Sequence, residues 1–495
     1  MNDAQQYLSE FAPELSQKHS GAYFTPDAVA CSLVAWAVHK NDDRMLDPSC
    51  GDGQFLVRHR NSVGLEQNPH SASIAMNRAP WALVHEGDFF SWAAETQERF
   101  ECAAGNPPFI RYQSFRGQMR ERAIDLCRRL GVEFSGLASA WAPFLVATCG
   151  LLKEGGRMAF VVPAEIGHAP YAAPLIEYLL GNFGDVHVVA VREKLFPKLS
   201  EDCWLLYASE KGRSAPALKF TSLDRFSFEP FPPAVSAYIS ISEWRDGWGR
   251  RLRPFLISSA ARQLYLDAAA SSDSRRLQDF AKIGIGYVSG ANDFFHLRPS
   301  EAKAARIPGE CLVPSLRNGR AITGPVVSDA TVRRWFENDE EVLLLRLEKD
   351  EALAPAVKRY LNSAEGQHAR EGYKCRNREP WYSVPDVRVP DYFMSYMSGL
   401  APSLARNDAH VTCTNSVHSI SVLNKSEAKK RLPLWSTKFL NLSFELEGHA
   451  LGGGMLKLEP REAARILFPE NGITKRNPLA IIEAVAELRR WRHIH

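Results

Sequence analysis

The chain has 495 residues, 45% of them apolar and 24% charged, a composition that excludes extensive disorder and a length beyond what one hydrophobic core usually serves. Its net charge of +3 hides an asymmetry: residues 1–210 sum to −7 and residues 211–495 to +10, which makes the second part the candidate for binding a polyanion. No apolar run approaches the roughly 20 residues of a membrane span, and the opening MNDAQQYLSE lacks the basic and apolar segments of a secretory leader, so a cytoplasmic protein without a membrane partner is expected. The nine cysteines are scattered without a CxxC pair, which argues against both a disulfide framework and a metal site.

Along the first 210 residues short β-rich runs alternate with helical patterns, the signature of a parallel α/β sheet. Strands are predicted at 44–47, 62–66, 83–87, 100–105, 157–162, 186–191 and 203–208, with helices at 27–39, 54–58, 69–77, 137–152 and 174–182. Seven strands in this arrangement make a doubly wound sheet. The stretch Phe228-Glu229-Pro230-Phe231-Pro232-Pro233 reads as a domain edge, giving two parts, 1–225 and 226–495. The second mixes short strands, polar loops and helices, an α+β pattern that ends in a helix over 478–491.

In an open parallel sheet, ligands bind at the carboxyl ends of the strands where the strand order reverses. The first strand ends in Asp47-Pro48-Ser49-Cys50-Gly51-Asp52-Gly53, a turn whose glycines let backbone approach a ligand. Glu66 ends the second strand, where an acid can take both hydroxyls of a ribose, and Asp88 follows the third, where an acid can accept from an adenine amine. Either acid alone reads as a solvated strand end. Together, beside a Gly-rich turn, they read as a nucleotide site.

With Asn106-Pro107-Pro108-Phe109 after the fourth strand and Gly21-Ala22-Tyr23-Phe24-Thr25-Pro26 upstream, this set resembles motifs I to IV and X of the gamma-class, Taq-type adenine-N6 DNA methyltransferases of restriction–modification systems. The resemblance implies a seven-stranded S-adenosylmethionine-dependent methyltransferase sheet followed by a C-terminal target-recognition domain. It also implies that Tyr23, Thr25 and Pro26 close over the methionine end of S-adenosyl-L-methionine, that Asp47 holds its amino group, that Glu66 holds its ribose and that Asp88 holds its adenine. Ser49, Gly51 and Gly53 would form the turn around it, with Asn106 alongside. Phe109 stands where the family more often has Tyr, a change that should leave stacking intact.

An exocyclic amine is a poor nucleophile because its lone pair is delocalised into the ring. If the Asn106 side-chain oxygen and the Pro107 carbonyl each accept one N–H, the nitrogen is drawn toward sp3 geometry without a general base of matched pKa. The prolines stiffen the loop and remove donors. A base must leave the duplex to reach such a site. Phe109 would stack on it, and by the resemblance Phe196, in Lys194-Leu195-Phe196-Pro197, would supply a second face. Arg111, Tyr112, Gln113 and Arg116 interleave basic, aromatic and amide side chains and could grip adjacent phosphates, as could the arginines of 120–129.

The second part carries no catalytic constellation. Its segments 284–295, 381–398 and 451–458 resemble target-recognition regions in patches. Asn292, Arg406, Asn407 and Asn415 are side chains of the kind that read base edges, and His410, His418 and His449 are too dispersed for a metal. The expected partner is double-stranded DNA, with a separate restriction endonuclease as counterpart, and nothing requires a dimer. Cytosine C5 methylation needs a Pro-Cys nucleophile, which the chain lacks. Cytosine N4, RNA adenine and protein glutamine remain open as targets. Pro385-Asp386 with Glu427-Ala428-Lys429 matches a nuclease pattern too loosely to count as one.

Overall fold

The structure is a computed structural model and describes residues 25–135, 138–197, 199–349, 352–470, 472 and 476–494. The chain forms two compact units, Met1–Leu256 and Ile257–His495. Residues 226–256, assigned from the Pro-rich stretch to the second part, thus belong to the first, because the chain returns after that stretch to add a strand to the sheet.

The first unit is built on a nine-stranded sheet. Its strands are β1 (Met45–Asp47), β2 (Ser62–Glu66), β3 (Leu83–Glu86), β4 (Phe100–Gly105), β5 (Leu152–Pro163), β6 (Phe183–Val191), β7 (Cys203–Lys211), β8 (Ala217–Leu223) and β9 (Ala237–Ser240). The order is β3-β2-β1-β4-β5-β7-β6-β8-β9. Pairings from β3 through β5 are parallel, while β7 runs antiparallel between β5 and β6. The seven expected strands are all present, and β8 and β9 extend the β6 edge. The order reverses between β1 and β4, so a crevice opens at their carboxyl ends.

Both faces of the sheet are covered, which is why its central strands read as continuous apolar runs. On one face α1 (Asp27–Ala37) buries Val29, Ala30, Leu33 and Val34 against Met45, Cys102, Ala104, Ala159 and Val161. The next helices are α2 (Pro69–Arg78), α3 (Phe89–Glu95), α4 (Gly117–Arg129), α5 (Trp141–Gly150) and α6 (Ala172–Asn182). Asn68 caps α2 by accepting from His70 N at 3.0 Å and Ser71 N at 3.1 Å, with Pro69 in the first turn. Phe89 stacks on Phe144 of α5 with centroids 5.1 Å apart, and Phe90 meets the same ring edge-on.

The second unit has a five-stranded sheet ordered Ala281–Ile285, Val417–Val422, Tyr392–Ser395, Leu404–Asn407, Val326–Val327, and a four-stranded one ordered His296–Leu297, Leu343–Leu345, Leu312–Leu316, Thr412–Cys413. The predicted last helix spans Pro478–Arg490 and packs on Lys438–Glu447. Just beyond it Arg492, 1% exposed, donates to the carboxylate of the fully buried Glu445 and to the carbonyls of Gly399 and Gly454. Among the described residues no helix is long and apolar enough to cross a membrane.

Candidate active site

Asp47, the last residue of β1, is completely buried. Its Oδ1 accepts from Ser49 N at 3.2 Å, and its Oδ2 has no hydrogen-bond partner among the described residues. Burial, reinforced by the negative charges of Glu66 and Asp52, pushes this carboxyl up to about 8 despite the Ser49 N–H. A buried carboxyl oxygen without a partner has room to accept one further hydrogen bond, and a cationic donor such as an α-ammonium would fit it. Only glycine fits at position 105, since a Cβ there would lie 2.7 Å from Asp47 Oδ1.

The turn beyond Asp47 is held from the neighbouring strand. Gly51, at φ +53°, donates its N–H to Glu66 Oε2 at 2.9 Å, and Asn68 N donates to Oε1 at 2.7 Å. Glu66 therefore sits across the turn, with its carboxylate fixed in place by backbone donors. Gly53, at φ +85°, lets the turn lie on α2, where a Cβ would come within 3.1 Å of Ala75 Cα. Asp88 caps α3, its Oδ2 accepting from Ser91 N at 2.8 Å and Ser91 Oγ at 2.6 Å. Arg122 of α4 donates to that same Ser91 hydroxyl, so one of the arginines expected to grip phosphate is engaged beside Asp88.

Asn106 to Phe109 leave β4 directly into the crevice. Ser49 Oγ donates to the Asn106 carbonyl at 3.2 Å, joining the Gly-rich turn to this loop. Pro107 is buried and Pro108 and Phe109 half-buried. Phe109 packs against the apolar cluster that contains Leu195, Phe196 and Leu199, so the two expected stacking rings belong to one apolar cluster. Phe196 is only 6% exposed, and presenting its face to a base requires the loop that carries it to yield.

Arg111, Tyr112, Gln113 and Arg116 are all exposed on the segment leading to α4. Arg111 is tied through Nε at 3.0 Å, and through its Nη2, to Glu201. Glu201 lies in the loop that carries Phe196 and escaped the sequence reading; its only signal was an acid just ahead of β7. Thr25 is buried and Pro26 opens α1, while Tyr23 lies outside the described residues.

The recognition residues chosen in the second unit fare unevenly. Asn407 is buried, donating to the carbonyls of Pro390 and Val411 and accepting from Val411 N, which leaves its amide nothing for a base edge. Arg406 is exposed but chelates Asp408 through two bonds of 2.6 and 2.7 Å. Asn292 accepts from Ser289 at the start of a short helix, and Asn415 is exposed. All nine cysteines are free, and no group of three or more metal-ligating side chains occurs among the described residues.

A sheet of this order, with a Gly-rich turn on an acid-ended first strand and acids at the ends of the next two, defines the class of S-adenosylmethionine-dependent methyltransferases. The N-6 DNA methylase family matches residues 2–200, and the C-terminal domain of Type II methyltransferase M.Eco57I matches residues 250–494. The chain belongs to the gamma-class N6-adenine methyltransferases of restriction–modification systems. It is similar over 94% of its length to Type II methyltransferase M.AccI of Acinetobacter calcoaceticus, at 18% identity and covering 88% of that protein. Type II methyltransferase M.XamI of Xanthomonas campestris pv. amaranthicola is 21% identical over 91% of this chain and 85% of its own. The fold also resembles the cryo-electron microscopy structure of the DrdV–DNA complex, with a TM-score of 0.50 at 10% identity over 97% of this chain and 58% of that one. The chain thus spans a little over half the length of that structure.

Proposed function

We propose that this protein transfers a methyl group from S-adenosylmethionine to the N6 amine of an adenine flipped out of duplex DNA, as the modification enzyme of a restriction–modification system. The carrying observation is the buried Asp47 oxygen that lacks a partner, in a turn bonded through Ser49 to the Asn106 loop. That oxygen suits the ammonium of the cofactor's methionine end. Glu66, held across the turn, suits the ribose hydroxyls, and Asp88 suits the adenine amine. The bound cofactor supplies an electrophilic sulfonium methyl.

The chain's own residues act on the target. Asn106 accepts one amine hydrogen through its side-chain oxygen and Pro107 the other through its carbonyl, directing the nitrogen lone pair. Phe109 stacks on the base, backed by the apolar cluster to which Phe196 belongs. Tyr112, Gln113 and Arg116 lie exposed beside the loop, where phosphates of the extruded strand would pass.

The test is incubation with tritiated S-adenosylmethionine and unmodified duplex DNA, followed by chromatography of the nucleosides. Label in N6-methyldeoxyadenosine is expected. Label in N4-methyldeoxycytidine would move the target but keep the mechanism, and unlabelled DNA from a protein that still binds the cofactor would overturn the assignment in favour of RNA or protein glutamine.

A further inference from the structure

Three separated stretches of the second unit converge on one surface. The strand Leu312–Leu316 pairs in parallel with Thr412–Cys413, with Ser315 opposite Thr412 and Leu316 opposite Cys413. Just past the strand ends, Thr414 Oγ1 donates to the Arg317 carbonyl at 2.5 Å, and Asn415 N donates to the Tyr287 carbonyl at 2.9 Å. Gly286 makes this approach possible, since a Cβ there would fall 2.0 Å from the Cys413 carbonyl oxygen. Arg317 also pairs with Asp293, next to Asn292. Asn292 and Asn415, more than 120 positions apart in sequence, are thereby each one residue away from a partner of Arg317.

Beside this junction is a cleft of about 510 Å³ whose charged lining is four arginines, Arg298, Arg317, Arg320 and Arg334, against two acids, Glu340 and Glu341. Two of the arginines are oriented by acids: Glu341 pairs with both Arg298 and Arg317. The other two are not. Arg320 is exposed and its guanidinium has no hydrogen-bond or ion-pair partner among the described residues, while Arg334 makes only a neutral bond of 3.3 Å to Thr323. With four cations against two acids the cleft carries a net positive charge, and two of its cations have no ion-pair partner among the described residues, one on the turn after Leu312–Leu316 and one on the helix Asp329–Glu337, beside the exposed amide of Asn318. Arg406, by contrast, already has its anion.

We infer that this cleft grips the sugar-phosphate backbone of duplex DNA, Arg320 and Arg334 each neutralising a phosphate, while Asn318 in its lining and Asn415, next to the Thr414 that bonds Arg317, face the adjoining base edges. Planar guanidinium forks match phosphate oxygens, and contacts of this kind position a protein on DNA without reading sequence. Amide side chains alongside can discriminate. The inference rests on the DNA-methyltransferase reading above.

Each phosphate contact steepens the dependence of log affinity on log salt by about 0.9. For the full-length Arg320→Ala/Arg334→Ala protein, titration of fluorescent duplexes at several salt concentrations should give a slope shallower by about 2. Cognate and unrelated duplexes should weaken alike. The Arg320→Lys/Arg334→Lys protein should keep most of the slope, and Asn415→Ala should lower the preference for cognate DNA at unchanged slope. A folded double-alanine protein with the wild-type slope overturns the inference while the methyltransferase reading stands. A wild-type protein that neither binds nor methylates any duplex overturns both.

Discussion

Asp47 is the residue at which burial and function are most directly opposed. Folding takes its carboxyl from an ordinary value of 3.8 to about 8, so near neutral pH the cofactor-free folded protein holds a proton there that the unfolded chain has released. The resulting stability is full below about pH 4 and is lost as pH rises through about 8. Thermal midpoints of the cofactor-free protein should therefore decline from about pH 4 to 8, and Asp47→Asn should flatten that decline. Binding an ammonium needs the ionised form, so S-adenosylmethionine affinity, read by calorimetry, should rise over the same interval with release of a proton. Asn106 makes a different prediction because its proposed contacts are to the target alone. Asn106→Ala should leave the cofactor dissociation constant within about twofold and lower the methylation rate by 10²-fold or more, the scale for removing one aligned hydrogen-bonding group. A loss of affinity matching the loss of rate would reassign Asn106 to the cofactor.

At the scale of elements, the Arg111–Glu201 pair ties the segment after the catalytic loop to the loop carrying Phe196. The Arg111 side chain is 62% exposed, so the pair contributes little stability, and its effect should appear in the geometry of the apolar cluster around Phe196. Glu201→Gln should shift the thermal midpoint by only a degree or two yet lower the rate several-fold, with cofactor affinity intact. Fluorescence of 2-aminopurine at the target position would report the displaced cluster directly. The strands that frame this site were legible because β1, β2 and β4 are short buried runs, each ending in or leading straight to a polar or glycine residue with a chemical task. β8 and β9 were missed because the Pro-rich stretch between them reads as a linker, although the chain resumes the sheet after it. Helix α4 was seen as a row of arginines, since its apolar face amounts to Ala123, Leu126 and Cys127. Glu201 could not be found from sequence, because its partner lies 90 residues away.

Over the whole molecule, legibility falls sharply after the first unit. The second unit is assembled from strands of two to six residues, in mixed parallel and antiparallel pairings between distant segments, and such short pieces carry no periodicity to read. Composition alone therefore could not separate Asn407, which closes a backbone corner, from Asn415, which faces solvent. Arg492 illustrates the same point. It looks like one more charge at the end of a helix, but it joins Glu445, Gly399 and Gly454 in the interior. Removing Arg492 takes from the buried Glu445 its closest cation and leaves the longer pair to Arg489 at 3.6 Å, so Arg492→Ala should destabilise the protein by about 3 kcal/mol in urea titration.

The bond from Ser49 to the Asn106 carbonyl links the turn proposed to hold the cofactor to the loop proposed to act on the target. If occupancy of one end stiffens the loop at the other, the two ligands become thermodynamically linked. The factor by which cofactor tightens the extruded base must then equal the factor by which the base tightens the cofactor. Such reciprocity would hold the protein in a loose, scanning association with DNA until both ligands are in place, and would weaken its hold once one of them is changed by the reaction.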